Sequence, residues 1–255
     1  MRSVLIIASN TFREIIRDRI LYGILVSAIL LILLSLALGQ LSFAEQTRIA
    51  SSFGFTAIHL GAMIVSVFVG STLVGREIDK KTILTLFVRP ISRAQFLVGK
   101  CFGLMGVNIV CIAGLSAVLA GILFAMNLPL GEAFFAGLYG IVLEAILLLT
   151  IAIFFGSFSS PMLSVSFTIG FFLIGHWVES LRFFLNNTDS PGFFFVGKAL
   201  TATLPNLEFF NWRSLFIYDD PIPWPELGFS TLYMLAWALF FISISSIILG
   251  KRDLG

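Results

Sequence analysis

Glu144, inside the apolar run FAGLYGIVLEAILLLTIAIFF, is the one clear acid deep within such a run. An ionised carboxylate at that depth costs several kcal/mol unless it is paired or meets water. Two roles follow: a pathway or conformational-switch residue, or a protonated group that hydrogen-bonds between helices. No buried cationic partner is evident in the sequence, which favours the second. His59 lies in a second apolar run, and His176 ends a third, with Glu179 three residues on. His176 and Glu179 can face each other across one helical turn, but two groups do not make a metal site. Packing or an ordinary hydrogen bond is the expected role of both histidines, and no metal, cofactor or catalytic residue is expected in this chain. Neither HExxH nor GxSxG occurs, and no run of serine, lysine or aspartate would build an intramembrane hydrolase. The chain does not read as an enzyme.

The elements that position these residues are set by hydrophobicity. Mean hydropathy is +1.02 and only 12% of residues are charged, about half the share usual in a soluble domain. Apolar runs of about 20 residues suit a hydrocarbon layer ~30 Å thick. Six are expected as spans: 20–41, 52–73, 102–123, 134–158, 163–178 and 228–249. The fifth is diluted by serines and glycine, starts abruptly at Pro161, and is open to extension toward Leu185. The fold class is therefore an all-α polytopic membrane protein, a single transmembrane unit over 1–255. The first span follows Arg2, Arg13, Arg17 and Arg19 without a small-residue cleavage signal, and is read as retained rather than as a signal peptide.

Basic residues orient the spans. Four Lys/Arg precede the first span, six lie between the second and third, and Lys251 and Arg252 close the chain. The opposite side has only Arg48, Arg182, Lys198 and Arg213. Both termini and the 76–100 loop are expected to be cytoplasmic, in a cell membrane of the bacterial inner-membrane kind. Residues 179–227 then form an acidic, aromatic, proline-rich extracytoplasmic cap, with short surface or re-entrant helices expected at 200–207 and 209–216. Within that cap, Gly192 to Lys198 has the GxxxxGK spacing of a phosphate-binding loop, but Ala199 replaces the Mg²⁺-binding hydroxyl and no strand precedes it. Asn186-Asn187-Thr188 matches a glycosylation sequon. Cys101 and Cys111 fall in the third span and read as packing residues. Gly99, Gly103 and Gly106, then Gly131, Gly137 and Gly140, are small residues that allow close helix approach.

Residues 1–19 place Val4, Ile7, Ala8, Phe12, Ile15 and Ile16 at helical spacing against Arg2, Arg13, Arg17 and Asp18, which suits an interfacial helix. The most patterned connection is REIDKKTILTLFVRPISRAQFLVGK, 76–100. Ile83, Leu84, Phe87 and Val88, flanked by Asp79, Lys80 and Lys81, describe a short amphipathic surface helix. Pro90 interrupts it, and Ser92 with Gln95 forms a capping box that restarts a helix at Arg93. An orientation signal would need the charges only; two punctuated helices point to a rigid docking surface.

This sequence resembles the ABC-2 type permease family and, more loosely, the permease of the nitrous-oxide-reductase maturation transporter. The resemblance rests on the N-terminal segment ending FREIIRDRI, on Glu77, Thr82, Leu84, Leu86, Pro90, Ile91, Ser92, Arg93, Gly99 and Lys100 after span two, and on six spans with a basic tail. Lys81 stands where the family often has glycine. The resemblance implies the transmembrane half of an ABC transporter, paired with a second copy or a similar permease, each bound to a separate ATPase subunit that holds ATP and Mg²⁺. It implies that 79–88 is a coupling helix docking on the ATPase, with Glu77 at its base and Asp79, Lys80, Lys81, Thr82, Leu84, Phe87 and Val88 as contacts. ATPase closure would then tilt spans one, two and five around a central path. Membrane lipids and a partner on the outer loop are further expected contacts, and nucleic acid is not. The alternatives are a secondary transporter, for which the expected inverted repeats are absent from the sequence, and a non-transporting assembly or scaffold protein.

Overall fold

The computed structural model describes residues 2–40, 45–72, 92–186 and 191–251. The docking residues Glu77, Asp79, Lys80, Lys81, Thr82, Leu84, Phe87 and Val88, and the sequon residues Asn187 and Thr188, lie outside them. The described chain is helical throughout. It comprises α1 (Arg2–Ile16), α2 (Arg19–Gln40), α3 (Gln46–Ile64), α4 (Arg93–Ala125), α5 (Glu132–Gly156), α6 (Pro161–Asn186), α7 (Pro191–Thr203), α8 (Arg213–Tyr218) and α9 (Trp224–Lys251). Six of these, α2 to α6 and α9, are long and apolar enough to cross a membrane, as the hydropathy predicts.

Burial ranks the spans by place. The most apolar window of α5 is 72% buried, against 22% in α6 and 28% in α2 and α9. A helix that is apolar all round and still buried belongs at the centre, so α5 is the axis around which the others pack. The exposed leucines and phenylalanines of the outer helices, such as Leu30, Leu34, Phe167, Leu239 and Phe240, are what a lipid-facing surface requires.

The fifth span is longer than the expected 163–178. Proline at the first helical position is tolerated because its missing N–H would have no partner there, and the helix then continues to Asn186. Its last turns are held by α7, where Leu185 lies against Gly197.

Helix α1 lies along the start of α4. A Cβ at Gly103 would stand 2.7 Å from both the Ala8 carbonyl oxygen and Thr11 Cβ, so this contact requires glycine. Ile7, Thr11 and Ile15 are buried there, with Cys101 and Cys111 of α4 in the adjoining core. The predicted capping box is present: Ser92 Oγ accepts from the Gln95 amide and Gln95 Oε1 accepts from the Ser92 amide. One residue on, the Arg93 guanidinium donates to the carbonyls of Leu249 and Gly250 at the end of α9. The beginning of α4 is thus fastened to both α1 and α9.

At Val65–Val69 helix α3 widens into a π turn. Ser66, within it, donates to the Ala145 carbonyl of α5 at 3.0 Å and accepts from Asn108 of α4 at 2.9 Å. These buried bonds fix the register of α3 against α5, one residue from Glu144.

The connection between α6 and α9 differs from the expected helices at 200–207 and 209–216. Pro191 starts α7 instead, and Pro205 follows its end; a 3-10 turn spans Leu207–Phe210, and α8 begins only at Arg213. The Gly192–Lys198 stretch lies inside α7. Its backbone is therefore helical rather than a phosphate-cradling loop.

Candidate functional site

The register set by Ser66 brings His59 of α3 to Glu144 of α5, with Nε2 2.8 Å from Oε2. The two residues are 85 positions apart in sequence, and both are buried. From α6, His176 presents Nε2 at 3.5 Å from the other carboxylate oxygen, Oε1. The three side chains, scattered in sequence, form one cluster whose ligand atoms all lie within 4.8 Å of one another. Phe172 packs against both imidazole rings, at centroid distances of 5.9 and 4.6 Å.

A fourth member comes from a segment that reads as outer loop. Gly140 of α5 faces the Phe210 carbonyl so closely that a Cβ would stand 2.2 Å from its oxygen, and a Cβ on Gly175 of α6 would stand 2.7 Å from Leu207 Cγ. These two close approaches let the 205–213 segment settle between α5 and α6. Arg213 then reaches inward, and its Nη1 lies 3.1 Å from His59 Nδ1.

Donor and acceptor roles follow from the partners. A guanidinium can only donate, so His59 Nδ1 accepts. The proton on that ring is therefore on Nε2, which donates to Glu144 Oε2. His176 Nδ1 faces the Phe172 carbonyl at 3.2 Å. A carbonyl can only accept, so Nδ1 carries a proton and donates to it. Arg213 Nε also donates to Asn211 Oδ1 at 3.0 Å, and Asn211 in turn donates to Glu208 Oε1 at 2.5 Å. Burial pushes the Arg213 guanidinium below its ordinary value, and the negative charges of Glu144 and Glu208 draw it back up.

The polar line continues to the protein surface. Asn206 donates to Glu179 Oε2 at 3.3 Å, and Glu179 pairs with Arg182 at 3.7 Å. A cavity of 530 Å³ lined by His176, Glu179, Ser180, Phe183, Phe184 and Glu208 opens beside it. A chain of alternating donors and acceptors thus runs from this cavity to the central helix α5.

A family model described as ABC-2 family transporter protein matches residues 15–175. The chain belongs to the ABC-2 transporter family. As the membrane component of an ABC transporter, this permease is a multi-pass transport subunit whose family works with an ABC ATPase partner. The match takes in His59, Glu144 and the 76–100 loop, and it ends before His176 and Arg213. A search of curated proteins finds no match to the permease.

Sequence reading singles out His59, Glu144 and His176 separately, without their meeting. It misses Arg213, which counts there as an outer-loop charge, and so finds no cation for Glu144. The signal lies in Gly140 and Gly175: small residues on two helices that face the 205–213 segment rather than another span.

Proposed function

We propose that this permease works as a dimer, with one ATPase subunit docked under each copy at residues 79–88, and that it exports a substrate or transmits ATP-driven motion across the membrane. The observation that carries the reading is the mounting of α4. Directly after the docking segment, the Ser92–Gln95 box starts α4, Arg93 ties it to the carbonyls of Leu249 and Gly250, and its glycines seat α1. A push on 79–88 would therefore reach α1, α4 and α9 together rather than being lost in a slack loop. The basic segment and both termini face the cytoplasm in this reading, and the α6–α9 connection faces outward. Motion delivered to an exported partner on that outer face is the use implied by the resemblance to the permease of the nitrous-oxide-reductase maturation transporter.

Co-purification with the cognate ATPase tests this reading. Lys80→Glu, Lys81→Glu and Leu84→Asp each reverse or break one feature of the docking element. Loss of complex and of coupled ATP hydrolysis is expected. Survival of both in all three variants refutes the docking assignment.

A further inference from the structure

Glu144 of α5 and His176 of α6 meet through the one polar atom that each keeps out of hydrogen bonds. Oε1 and Nε2 stand 3.5 Å apart as an ion pair, and neither has a hydrogen-bond partner among the described residues. The other polar atom of each side chain is committed: Glu144 Oε2 accepts from His59, and His176 Nδ1 donates to the Phe172 carbonyl. With Nδ1 already protonated, Nε2 is the place on the ring where a further proton binds. A bare Nε2 would turn its lone pair on a carboxylate oxygen, two buried acceptors with no donor between them. One proton removes that conflict and makes imidazolium and carboxylate partners.

The surrounding charges ask for the same proton. His59 faces the pair from α3 and is neutral, since Nδ1 accepts from Arg213 and Nε2 donates to Glu144. Arg213 and Glu208 approach from the α6–α9 connection, where Glu144 and Glu208 both act on the one guanidinium. On α6 itself Glu179 is paired with Arg182. From α7, Lys198 is held over the Phe194 ring. From α9, Tyr233 accepts from the Asn206 amide, and Glu226 lines the neighbouring cavity with Glu179, Arg182 and Glu208. Glu144 and Glu208 thus oppose Arg213 alone while His176 is neutral. A second cation at His176 balances them. Its loss leaves excess negative charge beside a carboxylate that is 2% exposed, which burial makes costly.

The proton has a route and an effect. The 530 Å³ cavity lined by His176, Glu179 and Glu208 opens to solvent, which supplies the proton and takes it back. Near its start α6 is held to α5 by groups that do not titrate: Ser164 donates to the Ala152 carbonyl at 3.1 Å, and Phe155 packs on Phe167 and Phe171. Roughly 18 Å further along the helix, the contact is His176 with Glu144. We propose that His176 Nε2 and Glu144 Oε1 bind one exchangeable proton from the cavity, and that this proton latches the far half of α6 to α5. Without it the ion pair is lost, and α6, whose apolar window is the least buried of the six spans, parts from Glu144 at the His176 end. Closing binds the proton, so acid closes the contact and alkali opens it. In the orientation proposed above the cavity lies on the outer side; the proton site itself needs neither that orientation nor ATPase docking.

The test uses the full chain in lipid nanodiscs, without a histidine tag, over about pH 5–8, where imidazoles exchange protons. Nitrogen-15 spectra of the histidine-labelled chain read both rings, since the chain has only two histidines, and His59→Gln assigns them. His176 should pass from imidazolium to a neutral ring protonated at Nδ1 as pH rises, while His59 should stay neutral with its proton on Nε2. Spin labels at Phe135→Cys of α5 and Trp177→Cys of α6, both exposed positions, read the latch in a Cys101→Ser, Cys111→Ser background. Their short-distance population should fall as His176 loses its proton, and that pH dependence should vanish in Glu144→Gln and in His176→Gln. Labels at Phe135→Cys and Leu232→Cys of α9 are the control and should not move. A His176 ring of constant protonation across the range overturns the site. A titrating His176 with an unchanged α5–α6 distance, or a distance change that persists in His176→Gln, overturns the latch. Where the variants fail to fold, the histidine spectra and the label distances of the chain that keeps both residues decide alone.

Discussion

Arg213 Nη1 lies 3.1 Å from His59 Nδ1, so a residue of the α6–α9 connection fixes the tautomer of a histidine in the bundle core. The contact spans 154 positions of sequence. It converts a histidine, an acid and an arginine, each costly to bury alone, into one bonded group.

Arg213→Met should leave His59 Nδ1 and the Asn211 carbonyl without their donor and Glu144 without its cation. Loss of a buried charged hydrogen bond costs about 1.5–3 kcal/mol. A matching fall in unfolding free energy in detergent is expected. Arg213→Lys should recover only part of it, because one ammonium cannot reproduce the Nη1 and Nε bonds together.

Gly140→Ala should be far more disruptive than its size suggests. The added carbon would stand 2.2 Å from the Phe210 carbonyl oxygen, and that atom is backbone. Overpacking of this kind costs typically about 1–3 kcal/mol. Displacement of the 205–213 segment would open the cluster to water, read as faster amide hydrogen exchange over that segment. Gly114→Ala on α4, where nothing lies within 4 Å, is the control and should be neutral or slightly stabilising.

Ser66→Ala should cost about 1–3 kcal/mol, since it leaves a buried Asn108 amide without an acceptor. Its sharper readout is geometric. Ser66 also anchors α3 to the Ala145 carbonyl, so the cross-link yield of a cysteine pair between α3 and α5 should fall or shift register.

Arg93→Ala should separate assembly from coupling. The guanidinium ties α4 to the last carbonyls of α9 and is not one of the proposed ATPase contacts. The ATPase complex should still co-purify, whereas hydrogen exchange at the end of α9 should accelerate and substrate-linked ATP turnover should drop. Normal coupling with accelerated exchange would show that α9 is not part of the drive.

The spans were legible in the sequence because hydropathy over some twenty residues is a sum, insensitive to any single residue. The Ser92–Gln95 box was legible because it is local, confined to four consecutive positions. Glu144, His59 and His176 were visible as individuals, since polar groups stand out in apolar runs. Their meeting was not visible. It depends on the rotational phase of three helices and on a π turn that no composition announces. Arg213 was hidden more thoroughly, because a loop residue earns attention only when something shows that the loop turns inward. The extension of α6 toward Leu185 stays open in the sequence because its last two turns are less apolar than a span; contact with α7 holds them.

The π turn at Val65–Val69 has a further consequence. It is a dislocation in the helix, an extra residue that the hydrogen-bond ladder has absorbed. Dislocations can glide. Moving this one toward the start of α3, past His59, would rotate that imidazole by roughly 100°, the angle of one residue. Few backbone bonds would be exchanged and the ends of the helix would stay where they are, but Ser66 would turn as well and give up its bonds to Ala145 and Asn108. His59 would swing away from Glu144 and Arg213 while α3 remained a helix throughout. Such a step needs no tilt of the rods. It can still turn a side chain over, as a ratchet pawl moves, one tooth at a time.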